Sequence, residues 1–348
     1  MLAAERVRMT RSTIHDVARV ARVSLSTVDR VLNDRNRVRP ATRARVEEAV
    51  RALGYVRNAA AANLSRQRRF RFLFVLPAGA NSFMRNLERE VVAYARSLAA
   101  EGVEAEVRLV PPFDGEALFR ELDALTPGAF DGTAFVAVDS PAVRRAVARL
   151  QAADLGVVTL VSDLPADLRA HFIGIDNIRA GRTAARLLGG FCGDRAGRIA
   201  VVAGAMRVND HAERYAGFRQ VLAQDFPHLE ALPPVEALDD AGRAETRLAA
   251  LLDATEDVVG IYSLGAGNRG VVAALGRRDP APPVVVHELT EHSRRWLLEG
   301  RIDAVIRQDP AREARAALRT LLALSQGKPF DRDENRVGIE IFLRDNLP

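Results

Sequence analysis

The chain holds a single cysteine, Cys192, which excludes an internal disulfide and a multi-cysteine metal site and leaves a buried structural thiol as its expected role. Lysine is equally scarce: Lys328 stands alone, so arginine supplies nearly all the positive charge and no single arginine signals chemistry by itself. No apolar run approaches the ~18 residues of a membrane span, and the opening Met-Leu-Ala-Ala-Glu-Arg-Val-Arg lacks the apolar core of a secretory leader. A cytoplasmic protein without membrane contact is expected. A nucleophile elbow and a Walker loop are also missing, and His287, Glu288 and His292 do not have the spacing of a helical zinc site. No catalytic residue, metal or cofactor is expected, so the chain reads as a non-enzyme.

What is present is a soluble composition of 348 residues with 48% hydrophobic content, enough for two or three domains with a large core. Its net charge of +5 conceals a segregation. Residues 1–71 hold 17 arginines against 6 acidic residues, a net charge of +11, which leaves −6 for the other 277. Solubility accounts for an arginine-rich surface, but not for its confinement to one end; only that end suits a polyanion such as DNA.

Residues 13–33 explain the segregation. Thr13 and Asp16 have the spacing of a capping box, and Ile14, Val17, Ala18 and Ala21 then share one helical face. Ser24 is placed to N-cap a second short helix whose Val28, Val31 and Leu32 point inward, leaving Leu25, Ser26, Asp29 and Arg30 outward. Two short helices across a tight turn form a DNA-reading unit, with the outward side chains able to enter a major groove.

The stretch resembles the N-terminus of the lactose-repressor (LacI) family. So does its continuation, Val38-Arg39-Pro40-Ala41-Thr42-Arg43, then Ala52-Leu53-Gly54-Tyr55, Asn58 and Leu64. The resemblance implies a DNA-binding head at 12–57, with Thr13, Ser24, Leu25, Ser26, Thr27, Asp29, Arg30 and Asn33 as candidate contacts. It further implies a hinge helix at 58–69, in which Asn58, Ala61 and Leu64 match the family's hinge and Leu64 its minor-groove wedge; a plain linker is the other reading of that segment. Three positions depart from the pattern. Arg22 replaces a turn glycine, which strains it if its φ is positive; Arg39 replaces a capping Ser or Thr; Asp29 replaces a small hydroxyl residue and would accept from cytosine or orient Arg30.

From Phe70 onward, about nine apolar, β-branched runs alternate with helical segments: 72–76, 103–110, 135–138, 157–161, 172–175, 199–203, 258–262, 284–286 and 304–306. That pattern means parallel sheets covered on both faces, and the number exceeds one ordinary sheet, so the expected class is α/β with two doubly wound lobes behind a small all-α head. This region resembles the periplasmic sugar-binding-protein fold that forms the core of the same regulators. The marks are Gly174-Ile175-Asp176-Asn177, Ala180-Gly181-Arg182, Glu213-Arg214-Tyr215-Ala216-Gly217-Phe218 and Ile306-Arg307-Gln308-Asp309-Pro310. The effector and dimerisation domain is expected at 70–348, with one lobe at 70–175 plus 309–328 and the other at 176–308 plus 330–348.

Open α/β sheets bind ligands at the carboxyl ends of their strands. Asn81, Phe83, Asp139, Asp163, His211, Arg214, Asn268, Glu288 and Gln308 are therefore candidate effector contacts, with Phe83 as an apolar platform and the polar groups pairing with hydroxyls. Gly265-x-Gly267-x-x-Gly270 matches a dinucleotide fingerprint only in part, and a tight turn presenting Asn268 is the better account. Glu288 stands where the family has an aspartate, and each polar candidate has a structural role as its alternative. The resemblance implies a homodimeric repressor, with a tetramer also open, binding a pseudo-palindromic operator under control of a sugar, polyol or sugar acid. A co-repressor mode and a solute-binding transport component are the alternatives.

Overall fold

The computed structural model describes residues 12–32, 38–55, 69–126, 128–276, 278, 280–331 and 337–348. The chain divides into two compact units on either side of Arg68 and Arg69.

The first unit contains α1 (Ile14–Ala21), α2 (Leu25–Leu32) and α3 (Pro40–Ala52). Their apolar faces close on one another through Val17, Ala18, Ala21, Val28, Val31, Val46 and Ala49, with Ile14 and Leu32 half-buried at the margin. The capping box is present: Thr13 Oγ1 accepts from the Asp16 N–H at 3.3 Å, and the Thr13 N–H donates to Asp16 Oδ2 at 2.9 Å. These bonds with Thr13, joined by Arg19, hold the Asp16 carboxyl down at about 2. Arg22 occupies the left-handed region at φ 51°, the strained geometry that glycine at this turn would relieve. Arg39 makes no side-chain cap, and Pro40 starts α3 instead.

The second unit contains two sheets. The first comprises β1 (Phe70–Pro77), β2 (Val103–Val110), β3 (Gly132–Val136), β4 (Gly156–Leu160) and β5 (His171–Ile173), all parallel in the order β2-β1-β3-β4-β5. In the second, β6 (Gly197–Ala203), β7 (Leu229–Ala231), β9 (Val258–Ser263), β10 (Val284–His287), β11 (Ala304–Arg307) and β12 (Glu340–Phe342) run in the order β12-β11-β10-β9-β6-β7. The two-residue β8 (Val235–Glu236) also pairs with β6. Here β12 alone is antiparallel, lying along β11. Buried Phe72, Leu73, Phe74, Val75 and Leu76 show why β1 reads as an unbroken apolar run: helices cover both faces, α4 (Ser82–Ser97) among them.

The chain passes between the lobes after β5 into α7 (Asn177–Cys192) and after β11 into α12 (Pro310–Ser325), numbering α5 (Gly115–Asp123) and α6 (Pro141–Ala152) before them. It returns to enter β12. Between α7 and α12 come α8 (Asn209–Asp225), α9 (Ala241–Ala254), α10 (Asn268–Leu275) and α11 (Glu291–Leu298). Among the described residues no helix is long and apolar enough to cross a membrane. Cys192 is buried, and burial pushes its thiol up.

Candidate functional site

On the head, Ser24 Oγ accepts from the Thr27 N–H at 3.2 Å, capping α2, and lies 2.9 Å from the hydroxyls of both Ser26 and Thr27. Leu25, Ser26 and Arg30 are exposed while Val28 and Val31 turn inward, so α2 keeps one open polar face with Leu25 at its start. A helix presented this way can meet base edges with its first turn, and Leu25 can meet a thymine methyl. Thr27 and Asp29 are half-buried. Thr13 is exposed, but its hydroxyl is engaged by Asp16 and serves the cap. Asn33, Asn58, Ala61 and Leu64 lie outside the described residues.

In the second unit a cavity of about 350 Å³ opens where the carboxyl ends of both sheets meet. The segments after β1, β3 and β4 wall it from the first lobe; the segments after β6, β9 and β10 wall it from the second. Strand order reverses beside β1 in one sheet and beside β6 in the other, which is where doubly wound sheets leave a crevice.

Buried polar groups form its floor. Arg214 Nε donates to Asn177 Oδ1 and its Nη1 to the Leu264 carbonyl, both at 2.8 Å, while Nη2 has no partner. Asn177 in turn donates to the Val161 carbonyl at 3.3 Å, so a chain of hydrogen bonds runs from α8 to the end of β4 in the opposite lobe. His211 Nδ1 contacts the backbone of Ala205, and its Nε2 stands 3.6 Å from Asp210. His287 is fully buried, which pushes its pKa well down and leaves it neutral; Nε2 meets the Tyr262 hydroxyl at 2.9 Å. Glu288 accepts from Gln308 Nε2 at 2.9 Å, and burial pushes its carboxyl up to about 7. Asp239 accepts from Asn81 Nδ2 at 2.9 Å, closing one side of the cavity across the two lobes, and burial pushes it up as well.

The backbone is strained here. Among the described residues seven that are not glycine have positive φ, and five of them line the cavity: Phe113 (61°), Val161 (61°), Leu238 (52°), Asp239 (58°) and Glu288 (72°). At Val161 the strain closes a three-residue turn, with the Ser162 N–H 2.5 Å from the Leu160 carbonyl. Left-handed geometry costs ~1–3 kcal/mol at such residues, and it gathers at sites where function requires it.

The family model for bacterial regulatory proteins of the lacI family matches residues 13–58, and that for the periplasmic binding protein domain matches residues 72–329. The chain belongs to the periplasmic binding protein domain family and carries a lacI-family DNA-binding domain ahead of it. It is 42% identical over 77 residues to catabolite control protein A of Staphylococcus xylosus, a match that spans 22% of this chain and only 23% of that relative's length. With the transcriptional regulator CelR of Thermobifida fusca it shares 29% identity over 295 residues, 80% of this chain and 82% of the relative. The glucose-galactose binding protein GanP of Geobacillus stearothermophilus has the same fold as the core. Its TM-score is 0.72 at 20% identity, covering 81% of this chain and 99% of that one.

In this periplasmic-binding-protein core, Asn81, Phe83, His211, Arg214, Asn268, Glu288 and Gln308 all line the cavity. Asp139 and Asp163 do not. Asp139 is clamped by Arg144 through two hydrogen bonds of 2.6 Å. Asp163 accepts from Thr159, from its neighbour Leu164 and from Arg169, so both oxygens are engaged outside the cavity. Asn268 reaches the wall, yet its amide joins Ser263 to the His287 carbonyl and acts as a brace between β9 and β10. Gly267, at φ 97°, makes the tight turn into α10, and a Cβ on Gly270 would stand 2.0 Å from the Ala241 carbonyl. The loop is built for packing.

The sequence reading missed Asp239, Phe113, Ser162 and Trp296, all of which line the cavity. Phe113 follows a Pro-Pro pair directly after β2, a signal that was readable. Asp239 had none, because it depends on two consecutive left-handed residues after a two-residue strand. Among the described residues no group of three or more His, Cys, Asp or Glu side chains converges as metal ligands would.

Proposed function

We infer that this chain is a transcription regulator, acting by default as a repressor, which binds a pseudo-palindromic operator as a homodimer under control of a small polar effector. Residues 12–57 read DNA, 58–69 form the hinge, and 70–348 bind the effector and dimerise. The effector is a sugar, polyol or sugar acid. The observation that carries the reading is the presence, in one chain, of a basic helix-turn-helix head and a two-lobed core. The core's polar cavity is bounded by both lobes and concentrates backbone strain.

Coupling then has a physical route. A ligand that makes different contacts in the open and closed arrangements of the lobes shifts their populations, and with them the fraction of dimers able to seat both hinges on DNA. Inducer and co-repressor differ only in the sign of that shift. The relatives support the reading: the sucrose operon repressor of Vibrio alginolyticus is 48% identical over 56 residues. The test is genomic mapping of binding sites with and without the protein, followed by operator shift assays with the substrates of the neighbouring genes. Release or tightening by one of them is expected; an intact chain that binds no site would overturn the reading.

A further inference from the structure

Arg214 is only 3% exposed, and a guanidinium stays charged inside a protein. Its hydrogen-bond partners, the Asn177 side-chain oxygen and the Leu264 carbonyl, are both neutral, and Nη2 has none. Among the described residues no acid makes an ion pair or hydrogen bond with it. Asp210 faces His211, and Asp239 is held by Asn81 and the Ala266 N–H. Glu313, in the first turn of α12, is fully buried with neither oxygen partnered, and Glu288 meets only Gln308. Burial holds both of these glutamates toward their neutral forms. A buried cation with no ion-paired carboxylate is unfavourable, and an anion that pairs with it directly relieves that cost.

We propose that the effector is an acid, a sugar acid or similar small hydroxy acid, whose carboxylate pairs with Arg214 while its hydroxyls meet Gln308 and Ser162. This rests on the cavity being the effector site and narrows the ligand from polar to anionic. Gln308 Oε1 and Ser162 Oγ are buried without partners, one an acceptor and the other a donor or acceptor, which suits hydroxyl groups. Phe83, Phe113 and Trp296 supply the apolar wall. At about 350 Å³ the cavity sits at the small end of ligand sites, which fits a single-sugar skeleton.

Binding such an acid has a consequence at Glu288. The charged and titratable groups around it are Arg214 of α8, Arg307 at the end of β11, and Asp309 and Glu313 at the start of α12, with His287 preceding it in the chain. Arg214 is the strongest influence favouring the ionised form of Glu288. A ligand carboxylate that occupies Arg214 removes that influence, so Glu288 takes up a proton from solvent as the acid binds near neutral pH.

The test is calorimetry on the intact chain with matched pairs: D-gluconate against D-glucitol, D-galactonate against D-galactitol, D-glucuronate against D-glucose. At least one acid should bind about tenfold or more tightly than its neutral partner, the gain expected for a charge-assisted hydrogen bond. Its affinity should fall from pH 6 to pH 8, and its heat should differ between phosphate and Tris buffers because protons are taken up. Arg214→Gln should erase the preference and Arg214→Lys should keep part of it. Should Arg214→Gln fail to fold, the wild-type pairs and Arg214→Lys decide. Equal or tighter binding of the neutral members, or binding of neither member of any pair, overturns the proposal. Operator release by a neutral sugar would overturn it too, while leaving the regulator reading intact; failure of the chain to bind any operator would strike that reading instead.

Discussion

The packing of α7 on α8 makes a sharp pair of expectations within one helix. A Cβ built on Gly181 would stand 1.8 Å from the Arg214 carbonyl oxygen, 2.7 Å from its carbon and 2.9 Å from the Phe218 nitrogen. All three are backbone atoms of a buried helix, so no side chain can swing aside, and the helices must part by more than 1 Å to restore ordinary contact at 3.4 Å. Gly181→Ala gains ~1 kcal/mol of helix propensity, but overpacking costs ~1–3 kcal/mol or more. Moving the Arg214 backbone also stretches its bonds to Asn177 and Leu264, each of which contributes ~1–3 kcal/mol. The net expectation is a destabilisation of ~2–4 kcal/mol, or a midpoint lowered by roughly 5–15 °C for a domain of this size. Gly190, in the same helix, is exposed with no heavy atom within 4 Å of its Cβ position, so Gly190→Ala should gain ~0.5–1 kcal/mol. Trp296, the only tryptophan, lies in the same lobe and reports unfolding by fluorescence. Equal midpoints for the two variants, or a Gly181→Ala midpoint at or above that of wild type, would refute the reasoning.

Thr13→Ala removes the capping box and should cost the head ~1 kcal/mol, read as a lower urea midpoint for its helical signal. Arg30→Ala should weaken operator binding by ~1–3 kcal/mol and relax one base position, as loss of a base-edge contact does; uniform weakening over all sequences would make Arg30 a phosphate contact. Leu64→Ala should lower both affinity and DNA bending, since an inserted side chain offsets the cost of unstacking a base step; unchanged bending rejects the wedge. Glu288 has a raised pKa in the folded chain, so its contribution to stability is greatest below about 4.5 and is lost as pH rises toward about 7. Glu288→Gln should therefore gain stability relative to wild type across that window, by ~3 kcal/mol at its upper end; a difference that does not vary with pH would contradict the raised carboxyl pKa.

Legibility followed burial. All nine runs became strands: most are covered on both faces and so are apolar along their length, while β2, at the edge of its sheet, alternates exposed residues with buried or half-buried ones; β7 and β8, with three and two residues, carry too little pattern to show. The head was equally readable, since a cap and a three-to-four residue period are local properties, and the Thr13–Asp16 box needs no tertiary contact. The cavity was readable only as far as strand ends determine it. Asp139 and Asp163 sit at strand ends but do not line the cavity, and each has an arginine five or six residues on, Arg144 and Arg169, which folds back and engages both carboxylate oxygens. A nearby arginine is visible in sequence; whether it returns to the acid depends on the turn between them. Asp239 fails for the opposite reason. It reaches Asn81, 158 residues away, by way of two successive left-handed residues, of which aspartate tolerates that geometry but the preceding Leu238 does not favour it. Local preference and tertiary demand disagree at that point, and such conflicts are kept where a site needs a group that the regular fold would not deliver. The same conflict recurs at Phe113, Val161 and Glu288 around this cavity. Residues that oppose their local preference thus mark this site more specifically than the polar strand-end residues that sequence reasoning selects.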